Sequence, residues 1–167
     1  MLNGLGPTSP LGSPSSWSAG LQTLVATVLQ APLQVILFWG PDYIALYNDA
    51  YAATIGDKHP SAFGQPASFH WRELWHDLEP LLAQVRETGK PVLMKDRPFS
   101  IERQGLPENV TFDISFSPVP GEAGAVAGVL CIVNETTERT AYEQRIRESE
   151  IRFRNMADSA PVMMWVV

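Results

Sequence analysis

"VTFDISFSPVPGEAGAVAGVLCIVNETTER", residues 110–139, is the stretch on which the fold turns. Val110, Phe112, Ile114 and Phe116 alternate with Thr111, Asp113, Ser115 and Ser117. Successive side chains of a strand point to opposite faces, so this is a sheet strand with one buried and one polar face. "PGEAG" (120–124) supplies a turn. "AVAGVLCIV" (125–133) is apolar throughout, which predicts a mid-sheet strand covered on both faces. Upstream, Val92 to Glu102 reads as a strand closed by the turn "QGLPEN" (104–109). Two hairpin turns in succession imply antiparallel pairing.

Working toward the N-terminus, "WRELWHDLEPLLAQVRETGK" (71–90) holds a helix with Pro80 in its first turn. Its buried stripe is Leu78, Leu81, Leu82 and Val85, and Gly89 stops it. "DKHPSAFGQPASFH" (57–70) is too rich in Gly and Pro for regular structure. "DYIALYNDAYAATIG" (42–56) reads as a strand from Tyr43 to Tyr47 that turns at Asn48–Asp49 into a short helix ended by Gly56. "LQVILFWG" (33–40), bounded by Pro32 and Gly40–Pro41, is a buried strand. Before it, Leu21, Leu24, Val25, Val28 and Leu29 form one helical stripe with Ser18 as N-cap. Residues 1–17, dominated by Gly, Pro and Ser, have little to bury and are expected to be a disordered tail.

After Val133 the chain becomes a charged helix. Tyr142, Ile146, Ser149, Phe153 and Met156 are spaced as a short heptad seam, which fits either a coiled coil or a solvated surface helix. Glu143–Arg147, Glu148–Arg152 and Glu150–Arg154 are i,i+4 pairs worth about 0.3–0.5 kcal/mol each. The chain closes on "SAPVMMWVV" (159–167), which repeats the design of "QAPLQVILFW" (30–39): a helix ends, Ala-Pro breaks it, and an apolar strand follows. Residues 158–167 are expected to open a second, similar domain; a last strand of the same sheet is the alternative.

The 167 residues are 45% hydrophobic and 18% charged, the balance of an ordinary globular protein. The net charge of −6 and the lack of a basic stripe argue against a nucleic-acid surface. A single cysteine, Cys131, makes no internal disulfide and fits a reducing cytoplasm. No Lys or Arg precedes Lys58, so a signal peptide's charged start is missing, and no uncharged apolar run approaches the ~20 residues of a membrane helix.

With these elements on the page, the chain resembles a PAS sensory domain. "FWGPDYIALYNDAY" (38–51), "GDKHPSAFGQPA" (56–67), "ELWHDLEPLL" (73–82) and residues 112–139 are similar to the N-terminal PAS domain of bacterial sensor histidine kinases. "ESEIRFRNMADSAPVMMW" (148–165) is similar to the linker and opening strand of a following PAS domain. The resemblance implies an α+β fold with a five-stranded antiparallel sheet in the order 2-1-5-4-3, helices on one face, an N-terminal flanking helix and a C-terminal signalling helix. It divides the chain into a PAS domain over 18–135, a signalling helix over 136–157, and the truncated start of a second PAS domain.

The implied function is a cytoplasmic sensory and relay module of a two-component histidine kinase, itself without catalytic residues and joined to downstream PAS and kinase domains. The alternative output is another enzyme, such as a cyclic-dinucleotide synthase. A homodimer through the N-terminal and exit helices would suit either.

Two groups of residues are candidates for function. Trp39, Tyr47, Trp71, Trp75, His76, Phe112 and Phe116 could line a cavity for a small-molecule ligand between sheet and helices, or simply pack the core. Asn134, Glu135, Thr136, Thr137 and Arg139 match the Asp-x-Thr motif by which PAS domains tie the last strand to the exit helix, with Glu in place of Asp. The plain alternative is a helix cap. Among cofactors, haem would have a single candidate ligand, His76, and His70 six residues earlier shares no helical face with it, so neither haem nor zinc is expected. The loop 56–67 has no cysteine, which excludes a flavin–cysteine adduct of the light-sensing type.

Overall fold

In the computed structural model, Leu5 and residues 8–159 are described. The strands are β1 (Gln34–Trp39), β2 (Ile44–Tyr47), β3 (Val92–Arg103), β4 (Leu106–Pro120) and β5 (Val126–Glu135). The helices are α1 (Ala19–Gln30), α2 (Asp49–Ile55), α3 (Ala67–His70), α4 (Trp75–Thr88) and α5 (Thr137–Ser159). The strands form one antiparallel sheet in the order β2-β1-β5-β4-β3.

Register assigns the faces. Ile36 pairs with Tyr47 and Cys131, and Cys131 pairs with Phe116, so these residues share the inner face, against α2 and α4. Leu37 pairs with Leu46 and Leu130, and Trp39 with Ile44 and Gly128, on the outer face. There α1 lies over β1 and β2, burying Leu21, Val25 and Val28. The Ser18 hydroxyl accepts from the Leu21 amide at its start.

Coverage of the outer face stops short of the expectation for β5. Val129, Cys131 and Val133 are buried inward, but Ile132 on the other face is 40% exposed, because α1 reaches only the β2–β1 side of the sheet. Four further differences have local causes. The β3–β4 turn is the two residues Gln104 and Gly105, both at positive φ, so β4 begins at Leu106 and takes in most of the stretch expected as turn. Helix α4 starts at Trp75, which puts Pro80 inside it rather than in its first turn. The carbonyl freed by the missing N–H belongs to His76, on the exposed side of the helix, within reach of water.

The loop 57–70 is more ordered than its composition suggests. Ala45 donates to the Gln65 carbonyl, Gly64 to Ala45, and Ala67 to Tyr43, which covers the open edge of β2. The described part of the N-terminal tail is likewise packed: the Ser9 hydroxyl donates to the Gly64 carbonyl at 2.8 Å, and the indole of buried Trp17 donates to Leu11 at 3.0 Å. Trp17, Leu11 and Leu5 are the apolar side chains that the described part of this segment packs against the core. The apolar stretch 160–167 lies outside the described residues.

Candidate functional site

A cavity of about 70 Å³ lies between the inner face of the sheet and helices α2 and α4. The sheet contributes Ile36, Phe38, Phe112, Ile114, Phe116 and Cys131, and the helical side contributes Tyr51, Trp71, Leu74 and Leu78. Of the seven residues expected there, Trp71, Phe112 and Phe116 line it.

The other four lie elsewhere. Trp39 follows Phe38 by one residue and therefore points to the opposite face, into a groove with Leu21, Leu24 and Val119. Tyr47 is wholly buried beside the cavity, its hydroxyl paired with His59 Nδ1 at 3.1 Å and its ring against Tyr51 and Phe63. Burial pushes the Tyr47 phenol up, so it stays neutral. Trp75 packs edge-on against Tyr43, and His76 stands in solvent with Asp77 3.5 Å away. Aromatic type drew attention to these positions, whereas face decides membership. Extending the even-numbered parity of β4 from Phe112 and Phe116 adds Ile114, but finding Cys131 and Ile36 requires the three-strand register.

The mouth of the cavity is ionic. Lys58 Nζ, just after α2, lies 2.8 Å from Glu73 Oε1, ahead of α4, and donates to the Glu102 carbonyl on β3 at 2.9 Å. The Glu102 amide donates to Glu73 Oε1 at 3.2 Å. At the hairpin tip the Gln104 amide donates to Asp57 at 3.3 Å. Sequence reading found none of these residues, since each is an ordinary surface polar residue until the fold gathers them.

One residue along β3, Arg103 leads to the exit helix. Its Nη1 and Nη2 donate to the two carboxylate oxygens of Glu135 at 3.0 and 2.8 Å, the two-pronged geometry that makes such pairs strong. This guanidinium holds the Glu135 carboxyl below the usual glutamate range and is itself held more firmly charged. The Thr137 hydroxyl donates to Glu135 Oε1 at 3.0 Å and accepts from the Thr111 amide at 3.1 Å. Thr136 is buried, its amide donating to the Thr111 carbonyl and its hydroxyl 2.9 Å from that of Thr111, which in turn lies 3.1 Å from Thr140's. A single direction satisfies each hydroxyl: Thr136 to Thr111, Thr111 to Thr140, and Thr140 to the Thr137 carbonyl.

These side chains bind neighbouring strands and do not cap the free N–H groups of α5. Asn134 is exposed, paired across the ladder with Asp113. Arg139 joins Asp96 at the β3 bulge and Glu143 one turn on. None of the three i,i+4 pairs expected further along α5 is formed; fully solvated charges gain too little to hold one geometry.

Helix α5 runs for 23 residues, about 35 Å, without burying one. Tyr142, Ile146, Ile151, Phe153 and Met156 are all exposed along it.

No protein-family model matches the chain. Solved structures do. The PAS domain of BvgS from Bordetella pertussis superposes with a TM-score of 0.58 at 16% identity, over 81% of this chain and 99% of that one. The chain has the PAS fold. An RNA-binding light-oxygen-voltage receptor matches this PAS fold with a TM-score of 0.56 at 19% identity, over 91% of this chain and 42% of that one. The chain thus spans less than half of the receptor's length. A light-oxygen-voltage protein from Rhodobacter sphaeroides gives 0.55 at 15% identity, over 75% and 74%.

At such identities the likeness is one of fold. In this PAS fold Cys131 lines the cavity from β5, fully buried, and burial pushes its thiol up, away from the reactive thiolate. Among the described residues no three His, Cys, Asp or Glu side chains gather as a metal site, and no helix is long and apolar enough to cross a membrane.

Proposed function

We propose that this chain is a cytoplasmic sensory and relay module of a two-component sensor histidine kinase. Its PAS fold receives the signal, and α5 carries it to kinase and further PAS domains beyond residue 167. The observation that carries this reading is the exit helix: a 23-residue helix with no buried residue, fastened at its first turn to β3 and β4 through Glu135, Thr136 and Thr137. Beyond its first turn such a helix buries nothing against its own domain, while its start is fixed by the sheet, as a transmitting element requires.

The module acts as a homodimer. Tyr142, Ile146, Phe153 and Met156 give α5 an apolar seam at coiled-coil spacing that a second copy, in parallel, would cover. Helix α1 contributes less to the interface than its stripe suggests, because Leu21, Val25 and Val28 are already buried against the sheet of the same protomer. Leu24 and Leu29 remain partly exposed for it.

The test is Glu135→Ala combined with Thr137→Ala in a protein where this chain precedes a kinase core. Histidine phosphorylation should change while the isolated chain keeps its circular dichroism. Unchanged phosphorylation would remove the relay, and loss of the fold would reduce these residues to a structural tie.

A further inference from the structure

The cavity and its mouth differ in chemistry. Inside, Ile36, Ile114 and Cys131 face Tyr51, Leu74 and Leu78. Of the charges at the rim, Lys58 is matched with Glu73, and Arg103 with Glu135 and Glu108, while the Glu102 carboxylate is exposed and, one residue along the strand from buried Ile101, points to the opposite face, away from the interior. Among the described residues the one buried side-chain polar atom without a partner is Arg97 Nε, which does not line the cavity. A charged ligand would therefore find no free counter-charge inside the cavity, and an anion would have to break an existing pair at the rim. A dry apolar cavity of ~150 Å³ accepts benzene, and pockets for drug-sized ligands start near 300 Å³. At about 70 Å³ this one has room for a guest of only a few heavy atoms.

The way in passes a strap. Three hydrogen bonds hold the end of the β3–β4 hairpin over the mouth: Lys58 to the Glu102 carbonyl, the Glu102 amide to Glu73, and the Gln104 amide to Asp57. Arg103 lies within this strap and is the residue that grips Glu135. The strap cannot lift without moving Arg103.

We infer that the cavity takes a small, neutral, apolar ligand and that the Lys58–Glu73–Glu102 strap is its gate, coupled through Arg103 to Glu135 at the start of α5. This rests on the relay reading above and adds to it the ligand class and the route. A bound guest shifts the hairpin end, the Arg103 fork shifts with it, and the first turn of α5 follows.

The probe is xenon, titrated into the 167-residue chain labelled at Ile, Leu and Val methyls and at backbone amides. Saturable shifts are expected at the methyls of Ile36, Ile114 and Leu78, and at the same xenon concentrations at the amides of Glu135 and Thr137. Propionate should shift none of them. Cys131→Leu, which fills the space, should weaken xenon binding about tenfold, the effect of losing ~1.4 kcal/mol.

Lys58→Glu with Glu73→Lys, which reverses the pair but keeps it, should retain both sets of shifts, whereas Lys58→Glu alone should lose those at Glu135 and Thr137. Linear, unsaturable methyl shifts would overturn the site. Propionate binding as well as xenon would overturn the ligand class. Saturating methyls with silent Glu135 and Thr137 amides would overturn the coupling. Each of these results leaves the phosphorylation test of the relay standing, so the two readings fail separately.

Discussion

Arg103 at the end of β3 grips Glu135 at the end of β5 by two hydrogen bonds of 2.8 and 3.0 Å, reaching across β4, which separates these strands in the sheet. Both side chains are only a fifth to a quarter exposed, so solvent screens the pair less than an ordinary surface bridge. The bond makes the cavity's edge strand and the base of α5 one mechanical unit.

Acid should loosen that unit. A carboxyl held low by its partner stabilises the fold fully above the unfolded glutamate value of about 4.3 and loses that contribution as pH falls through its native value. Urea midpoints measured from pH 6 to about pH 2 should fall for the unmodified chain. In Glu135→Gln the contribution is already gone at neutral pH, so the fall should be shallower. The low-lying carboxyl of Asp113, held chiefly by the Asp96 amide, is common to both proteins and cancels in the difference.

Asn48→Ala should be among the most damaging single changes. The side chain is 1% exposed, accepts from the amides of Tyr51 and Val35, and donates to the carbonyls of Ala31 and Leu33. Removing it strips the cap of α2 and leaves buried backbone groups unpaired, which costs about 2–4 kcal/mol. Equilibrium urea unfolding measures this directly; a loss under 1 kcal/mol would contradict it.

Gly128→Ala should cost about 1–3 kcal/mol. A Cβ there would meet the Phe38 carbonyl at 2.7 Å and Trp39 Cε3 at 3.1 Å, where strand and indole leave no slack. Thermal unfolding of the variant checks it.

Assembly should depend on α5. Ile146→Glu with Phe153→Glu places charge in the seam at two residues exposed in the protomer, so folding should be untouched. In sedimentation the unmodified chain should run as a dimer at micromolar concentration and the variant as a monomer. A monomer for both would remove the seam's role. Val28→Glu is unsuitable, since Val28 is 3% exposed inside the protomer and its loss would unfold the domain.

Much of the fold was legible in the sequence because period and punctuation are local. Alternation from Val110 to Phe116 marked β4, Ser18 and the 21–29 stripe marked α1, and Gly56 and Gly89 marked two helix ends. The sheet order came by resemblance and agrees with the structure. The cavity was only partly legible. Trp39 and Phe38 are neighbours in sequence and opposite in space, and the register that brings Ile36, Cys131 and Phe116 together spans 95 positions, from 36 to 131. The strap of Lys58, Glu73 and Glu102 joins two separate connections to the end of β3 and leaves no sequence signature at all. Composition also misjudged residues 8–17, where one tryptophan outweighs the surrounding Gly, Pro and Ser.

The measurement that bears most directly on signal relay is a charge exchange across the strand ends, read as histidine phosphorylation in a protein where this chain precedes a kinase core. Arg103→Glu and Glu135→Arg should each shift the phosphorylation level, and the two together, which restore an opposite-charge pair, should return it toward the unmodified value. Equal phosphorylation in all four proteins, with the chain folded in each, would contradict relay through Arg103 and Glu135.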